Sequence, residues 1–419
     1  MSTAIRASWV LFLGVALIML GNGLQVTLLS VRAAMEGFST AMTGLIMSGY
    51  FIGFLAGSVL APKLVQNVGH IRVFAALASL ASTAVLVHAV VIDPASWVAM
   101  RIVTGFSYAG LYVVAESWLN DRADNQTRGQ LLAVYMIIVL GGMGSGQFLL
   151  NVIDPQGTAL FIVASILVSL ALIPMLLNAG PAPDFSAPAR ISLAELYRRS
   201  PLGVVGSFGT GLATGTVLGL AAVYAESIGL TIAQVTLFVG VIFLGGMLLQ
   251  WPLGRISDTF DRRRVLTVVT LSAAVAAMSA TLVTDVGLWP LFALTFLYGG
   301  LCLPMYSICI AHANDHLEPE QMVGASGTLY FVVGIGASLG PFGVASVMSL
   351  TGANSFFVSL AVIHAAIGVF AMYRMTRRAA PPVDEQGPSL LLAGQTSPIV
   401  TELATEAAIE DAAFDAADA

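Results

Sequence analysis

Arg101 stands in an apolar run, between Val98-Ala99-Met100 and Ile102-Val103. At 100° per residue, Gly105, Tyr108, Tyr112 and Glu116 fall within roughly 60° of it, so a helix over 96–118 carries one polar stripe. A charge held within such a span costs about 2.5–3.5 kcal/mol even on the milder insertion scale, which turns it away from lipid. There it can orient a polar solute or shift the proton affinity of a neighbouring group. The plainer alternative is that Arg101, about five residues inside the boundary, snorkels to water. Glu116 is about 22 Å further along the helix, too far to pair with Arg101. It reads either as a protonation site whose acidity shifts with its surroundings or as a latch paired with Lys63, Arg72 or Arg128.

Asn22 and Gln25 lie three apart in another apolar run and share a helix face. Mid-span amides serve a solute or a neighbouring helix equally well. Tyr298, Cys302, Met305 and Cys309 form a stripe at helical spacing, with Tyr306 at its edge, and suit either packing or binding. The two cysteines would sit about 10 Å apart on one helix, beyond disulfide reach. His88 and His364 are lone histidines in apolar runs and are expected to pack. No cluster of His, Cys and acids has metal-ligand spacing, and no Gly-Lys-Ser loop is present to cradle a phosphate. Neither a metal nor another cofactor is expected, and ATP-driven pumping is disfavoured.

The elements that position these residues must lie in a membrane. Apolar residues make up 57% of the 419 and charged residues 10%, against about 45–50% and 25% in a soluble domain. Mean hydropathy is +0.89. A folded globule needs a solvated surface that this composition cannot supply, which excludes a soluble enzyme, a secreted disulfide scaffold and a disordered chain. Twelve apolar runs are readable, the first over 8–30 and the last over 352–373, and none alternates as barrel strands do. Twelve spans of about 20 residues consume roughly 240, leaving short loops, one linker and a tail. Lys and Arg favour the cytoplasmic side of short loops. With both termini inside, 15 of the 17 basic residues fall on that side, Arg32 and Arg101 excepted. The net charge of −6 resides in the tail over 379–419, which holds eight acids and no Lys or Arg. Disorder is expected there. No basic patch interleaves with aromatics, so no nucleic-acid partner is expected.

The chain also repeats itself. A shift of 192 residues lays Gly37-Phe38-Ser39 on Gly229-Leu230-Thr231 and Gly53 on Gly245. A shift of 194 lays Gly105 on Gly299, Tyr112 on Tyr306, Asn120-Asp121 on Asn314-Asp315, and Gly142 and Gly146 on Gly336 and Gly340. Two related six-helix halves follow, over 1–178 and 201–378, joined by a Pro- and Arg-containing linker over 179–200 and followed by the acidic tail.

Gly254-Arg255-Ile256-Ser257-Asp258-Thr259-Phe260-Asp261-Arg262-Arg263 resembles the loop signature G-x-x-x-D-R-x-G-R-R of the major facilitator superfamily, departing at Thr259 and Asp261. Its first-half counterpart, Pro62 to Ile71, has Gln66 in place of the acid. Arg101 to Gly105 resembles the R-x-x-x-G signature of the fourth helix. Gly336 to Pro341 matches the start of G-x-x-x-G-P-x-x-G-G, but in the eleventh helix rather than the fifth. The resemblance covers roughly 1–378 and implies an all-α integral membrane fold of twelve helices in two pseudo-symmetric bundles around a midplane site. Its first, fourth, seventh and tenth helices would line the cavity. It implies no enzyme but a monomeric secondary carrier in the cytoplasmic membrane. That carrier would move a small organic solute by alternating access, with protons as a candidate coupling ion. Asp258 with Arg262, Arg263 and Arg264 would form a cytoplasmic gate. Gly142, Gly146, Gly336 and Gly340 would permit close, shifting helix contacts. The alternative is a carrier-derived sensor or lipid-handling protein whose acidic tail, or loop 312–324, binds a partner.

Overall fold

The computed structural model describes residues 8–121, 127–177, 191–284, 286–378, 386, 399–401 and 403–406. Twelve helices are long and apolar enough to span a bilayer. We number them α1 Trp9–Met35, α2 Thr40–Val68, α3 His70–Val90, α4 Pro94–Asp121, α5 Arg128–Gly146, α6 Ala159–Leu177, α7 Pro201–Ser227, α8 Ile232–Thr259, α9 Arg262–Val283, α10 Leu288–Asn314, α11 Pro319–Thr351 and α12 Ser355–Met375. A short linker helix, Leu193–Arg199, precedes α7.

Several helices run past the apolar stretch that announces them: α2 continues beyond 62, α8 beyond 253, and α11 begins before 325. A helix persists into polar residues as long as its backbone bonds are met, whereas an apolar reading stops at the first charge. One helix is shorter in effect. The expected continuous span over 289–311 is interrupted at Leu303–Pro304, because Pro304 has no N–H to continue the ladder.

The duplication recurs in three dimensions. After α1, Gly37 takes a positive φ of 74°, and Phe38 N donates to Ala33 O at 2.9 Å. After α7, Gly229 has φ 82°, and Leu230 N donates to Ala225 O at 3.1 Å. Both are Schellman-type stops in which glycine adopts the left-handed conformation at little cost. The close crossings repeat too. Gly105 on α4 lies against the Tyr50 carbonyl of α2, and its repeat mate Gly299 on α10 lies against the Ile242 carbonyl of α8.

The helices fall into two compact units. One comprises 1–187, 215–240 and 338–355; the other comprises 188–214, 241–337 and 356–419. In the first, the second-half segments are held to first-half helices by specific bonds: Ser48 Oγ accepts from Phe342 N at 3.0 Å, and Asn151 Nδ2 donates to Thr236 Oγ1 at 2.9 Å. In the second, part of the tail departs from expected disorder. Residues 399–401 and 403–406 are helical, and Val400, Thr401, Leu403 and Thr405 are buried, with Thr405 Oγ1 2.8 Å from Ser326 Oγ of α11. Its apolar residues find partners once the bundle is folded. Apart from residue 386, the rest of the tail lies outside the described residues, as do 179–190 of the linker.

Candidate functional site

The first unit gathers polar side chains from α1, α2 and α4. The one-turn spacing that puts Arg101, Tyr108 and Tyr112 on one face of α4 points them at α2, and Gly105 between them lets the two helices approach. Arg101 is 1% exposed, so it does not snorkel. Its guanidinium carbon lies 4.4 Å from the centre of the Tyr50 ring, a cation–π contact. Asn22 Nδ2 donates to the Tyr50 hydroxyl at 3.1 Å and to the Tyr112 hydroxyl at 3.0 Å, tying α1 to α2 and α4. The Tyr108 ring stands 6.2 Å from both Tyr50 and Tyr112.

Several of these buried groups have no hydrogen-bond partner among the described residues: Nε and Nη1 of Arg101, the Tyr108 hydroxyl, Asn22 Oδ1 and both amide atoms of Gln25. Nor does Arg101 have an ion-pair partner among them. An unmatched buried donor costs about 1–3 kcal/mol, more for a charge, so such a concentration is unusual in an interior built only for packing. The arrangement can receive a group that accepts hydrogen bonds and carries at most modest negative charge.

Tyr50 is the residue sequence reasoning missed. It is the one tyrosine of α2, but nothing in a single apolar helix says which face meets a partner. Glu116 is fully buried, but it belongs to a different neighbourhood, accepting from the Tyr135 hydroxyl of α5 at 2.5 Å. Lys63 and Arg72 are exposed and make no ion pair among the described residues, while Arg128 is half-buried at the start of α5.

In the second unit Tyr298, Met305 and Tyr306 are all buried. The Tyr298 ring meets His364 at 5.4 Å and Phe357 at 6.3 Å, edge-on. Both cysteines are free and buried, Cys309 Sγ lying 3.9 Å from Thr210 Oγ1. Thr295, the repeat mate of Arg101, bonds its own helix at Leu291 O, 2.7 Å away. At this pair of equivalent positions the charge is therefore found in the first half alone.

The loop signature forms an ionic cluster. Arg262, 1% exposed, donates to Asp258 at 3.1 Å, to the Ala311 carbonyl at 3.2 Å, and to Asp315. Burial pushes the Asp315 carboxyl up to about 6, with the Arg262 charge pulling the other way. Asp315 was visible only as the counterpart of Asp121. Asp261, which stands where the superfamily signature has glycine, caps α9 by accepting from Arg263 N at 3.0 Å. Arg264 is largely exposed, 3.8 Å from Asp261, and Gly254 is buried within α8.

A family model described as Major Facilitator Superfamily matches residues 11–283 and 203–410. An uncharacterized MFS-type transporter, YcaD, of Escherichia coli O7:K1 is 28% identical over 369 residues, covering 87% of this chain and 94% of its own. The crystal structure of the nucleoside transporter NupG superposes with a TM-score of 0.72 at 14% identity, over 90% of this chain and 100% of that one. A bacterial homolog of the human lysosomal transporter Spinster, inward-facing and occupied, gives 0.69 at 14% identity, over 92% and 99%.

Proposed function

The chain belongs to the Major Facilitator Superfamily and is a membrane transporter, and from that premise we propose a secondary active carrier of a small organic solute working by alternating access. The six-helix halves 1–178 and 201–378 are its moving bodies. It sits in the cytoplasmic membrane with both termini inside, the orientation that puts 15 of 17 basic residues on the cytoplasmic side.

One observation carries the substrate class. Arg101 is buried over Tyr50 with no acid partner among the described residues, in the unit that also buries Asn22, Gln25 and Tyr108 with unpaired polar atoms. A strongly cationic solute would meet an unscreened like charge there. A neutral or weakly anionic amphipathic solute would supply the missing acceptors and stack on the tyrosines. At the arginine-rich end, Asp258, Arg262 and Asp315 tie the ends of α8, α9 and α10 together within the second half, and this cluster is the second half's contribution to the cytoplasmic gate. Glu116 is the candidate proton site, because it is an acid buried within a span. A tail that recruits a partner is less well supported, since Val400, Leu403 and Thr405 are already buried.

Growth of a deletion strain across toxic compounds and carbon sources identifies the solute, and uptake into proteoliposomes under an imposed pH gradient tests coupling. Gradient dependence should be lost in Glu116→Gln. If it is unchanged, Glu116 is not the coupling site.

A further inference from the structure

Outside the solute site, the ends of four helices in the second unit converge on a cleft. Arg199 at the end of the linker helix, Arg263 on α9, His312 at the end of α10 with His316 just past it, and Arg374 at the end of α12 with Arg378 just past it line it. It opens to solvent at its mouth. Two of the arginines are balanced: Arg199 pairs with Glu195 and Arg263 with Asp261, each at 3.0 Å. Arg374 and Arg378 have no carboxylate partner among the described residues. No acid among the described residues lines the cleft, so these residues give it a surplus of positive charge.

Two further features go beyond a solvated basic rim. Ser200 is fully buried at the cleft, and its hydroxyl has no hydrogen-bond partner. It immediately precedes Pro201, where the 27-residue α7 begins, so the free first-turn N–H groups of a long helix add to the donors. The backbone at the mouth is also fixed. Arg263 Nη1 donates to Arg378 O at 2.7 Å, and Arg378 Nη1 donates to Arg199 O at 3.0 Å. The two imidazoles pack edge to face, 5.0 Å apart, and His316 Nδ1 is buried without a partner. Burial pushes the His316 imidazole below its ordinary value, and the charges of Arg378, Arg263 and Arg374 push the same way.

We propose that this cleft binds a phosphate-class oxyanion, held by the guanidinium forks of Arg374 and Arg378 with the Ser200 hydroxyl and the α7 N-terminus. Forked guanidinium donors match tetrahedral oxyanions in geometry and charge. Two sources offer that chemistry at a membrane boundary: the phosphodiester of an anionic phospholipid, and a soluble phosphorylated compound.

Thermal unfolding of the purified full-length chain, titrated with inorganic phosphate against chloride at matched ionic strength, reads the soluble source. The same measurement in nanodiscs of phosphatidylglycerol against phosphatidylcholine reads the headgroup. Saturable stabilisation by at least one probe is expected, and the responding arm identifies the source. Loss of one charge-assisted fork should weaken the response roughly 10- to 100-fold in apparent affinity. Arg374→Gln with Arg378→Gln should therefore abolish it in the accessible range. Should the double variant fold poorly, Arg378→Gln alone alters an exposed side chain beyond the helix end and must still weaken the response. The proposal is overturned if neither probe stabilises the wild type beyond its control, or if the variants respond as the wild type does.

Discussion

Gly105→Ala adds one methyl group where α4 crosses α2. A Cβ there would run into the Tyr50 carbonyl and lie 2.9 Å from Phe54 N, contacts that backbone atoms cannot relieve by rotating a side chain. Overpacking of this kind costs about 1–3 kcal/mol, and the better helix propensity of alanine returns at most about 1. The helices must therefore separate, which also moves the Tyr50 ring off Arg101 and its hydroxyl away from Asn22. A net loss of about 1–2 kcal/mol is expected, with a lower thermal midpoint in detergent and weakened solute binding. Gly141→Ala on α5 is the matched control, since a Cβ there meets nothing within 4 Å, and its midpoint should hold or rise slightly. Gly299→Ala, at the repeat-equivalent crossing, should fall like Gly105→Ala but leave the Tyr50 cluster intact. If Gly105→Ala matches the wild type in both stability and binding, the close-crossing argument is refuted.

Two further outcomes follow from named groups. The Asp315 carboxyl lies near 6, above its unfolded value, so the folded chain takes up that proton first. Stability should rise as pH falls from 7 to 5, and Asp315→Asn should flatten that slope. An unchanged slope in the variant would place the titration elsewhere. Truncation after residue 378 removes the buried Val400 and Leu403. We expect transport to persist with a lowered thermal midpoint, whereas an unattached tail would leave the midpoint where it was.

The helices and their duplication were legible because both leave local marks. Apolar runs announce the spans, and Gly37-Phe38-Ser39 with Gly229-Leu230-Thr231 encodes the same turn twice. Arg101 was legible because a charge within a span has few places to go. Its partner Tyr50 was not, since contact between α2 and α4 depends on how the helices rotate against each other. The same holds for Glu116 with Tyr135, and for Arg262 with Asp315, 53 residues apart. The tail turn escaped notice because Ile399, Val400, Leu403 and Ala404 make too short a pattern to declare a period. The break at Pro304 was not legible, because an apolar run does not reveal whether a proline bends a helix or interrupts it.

The most direct test is solute uptake into proteoliposomes by Arg101→Ala beside the wild type at equal reconstitution. Losing a charge-assisted contact within a buried site should cut the initial rate at least about 10-fold. Arg101→Lys should fall between the two, because it keeps the charge but not the planar stack on Tyr50. Undiminished uptake by a well-folded Arg101→Ala protein would contradict a solute site built around this residue.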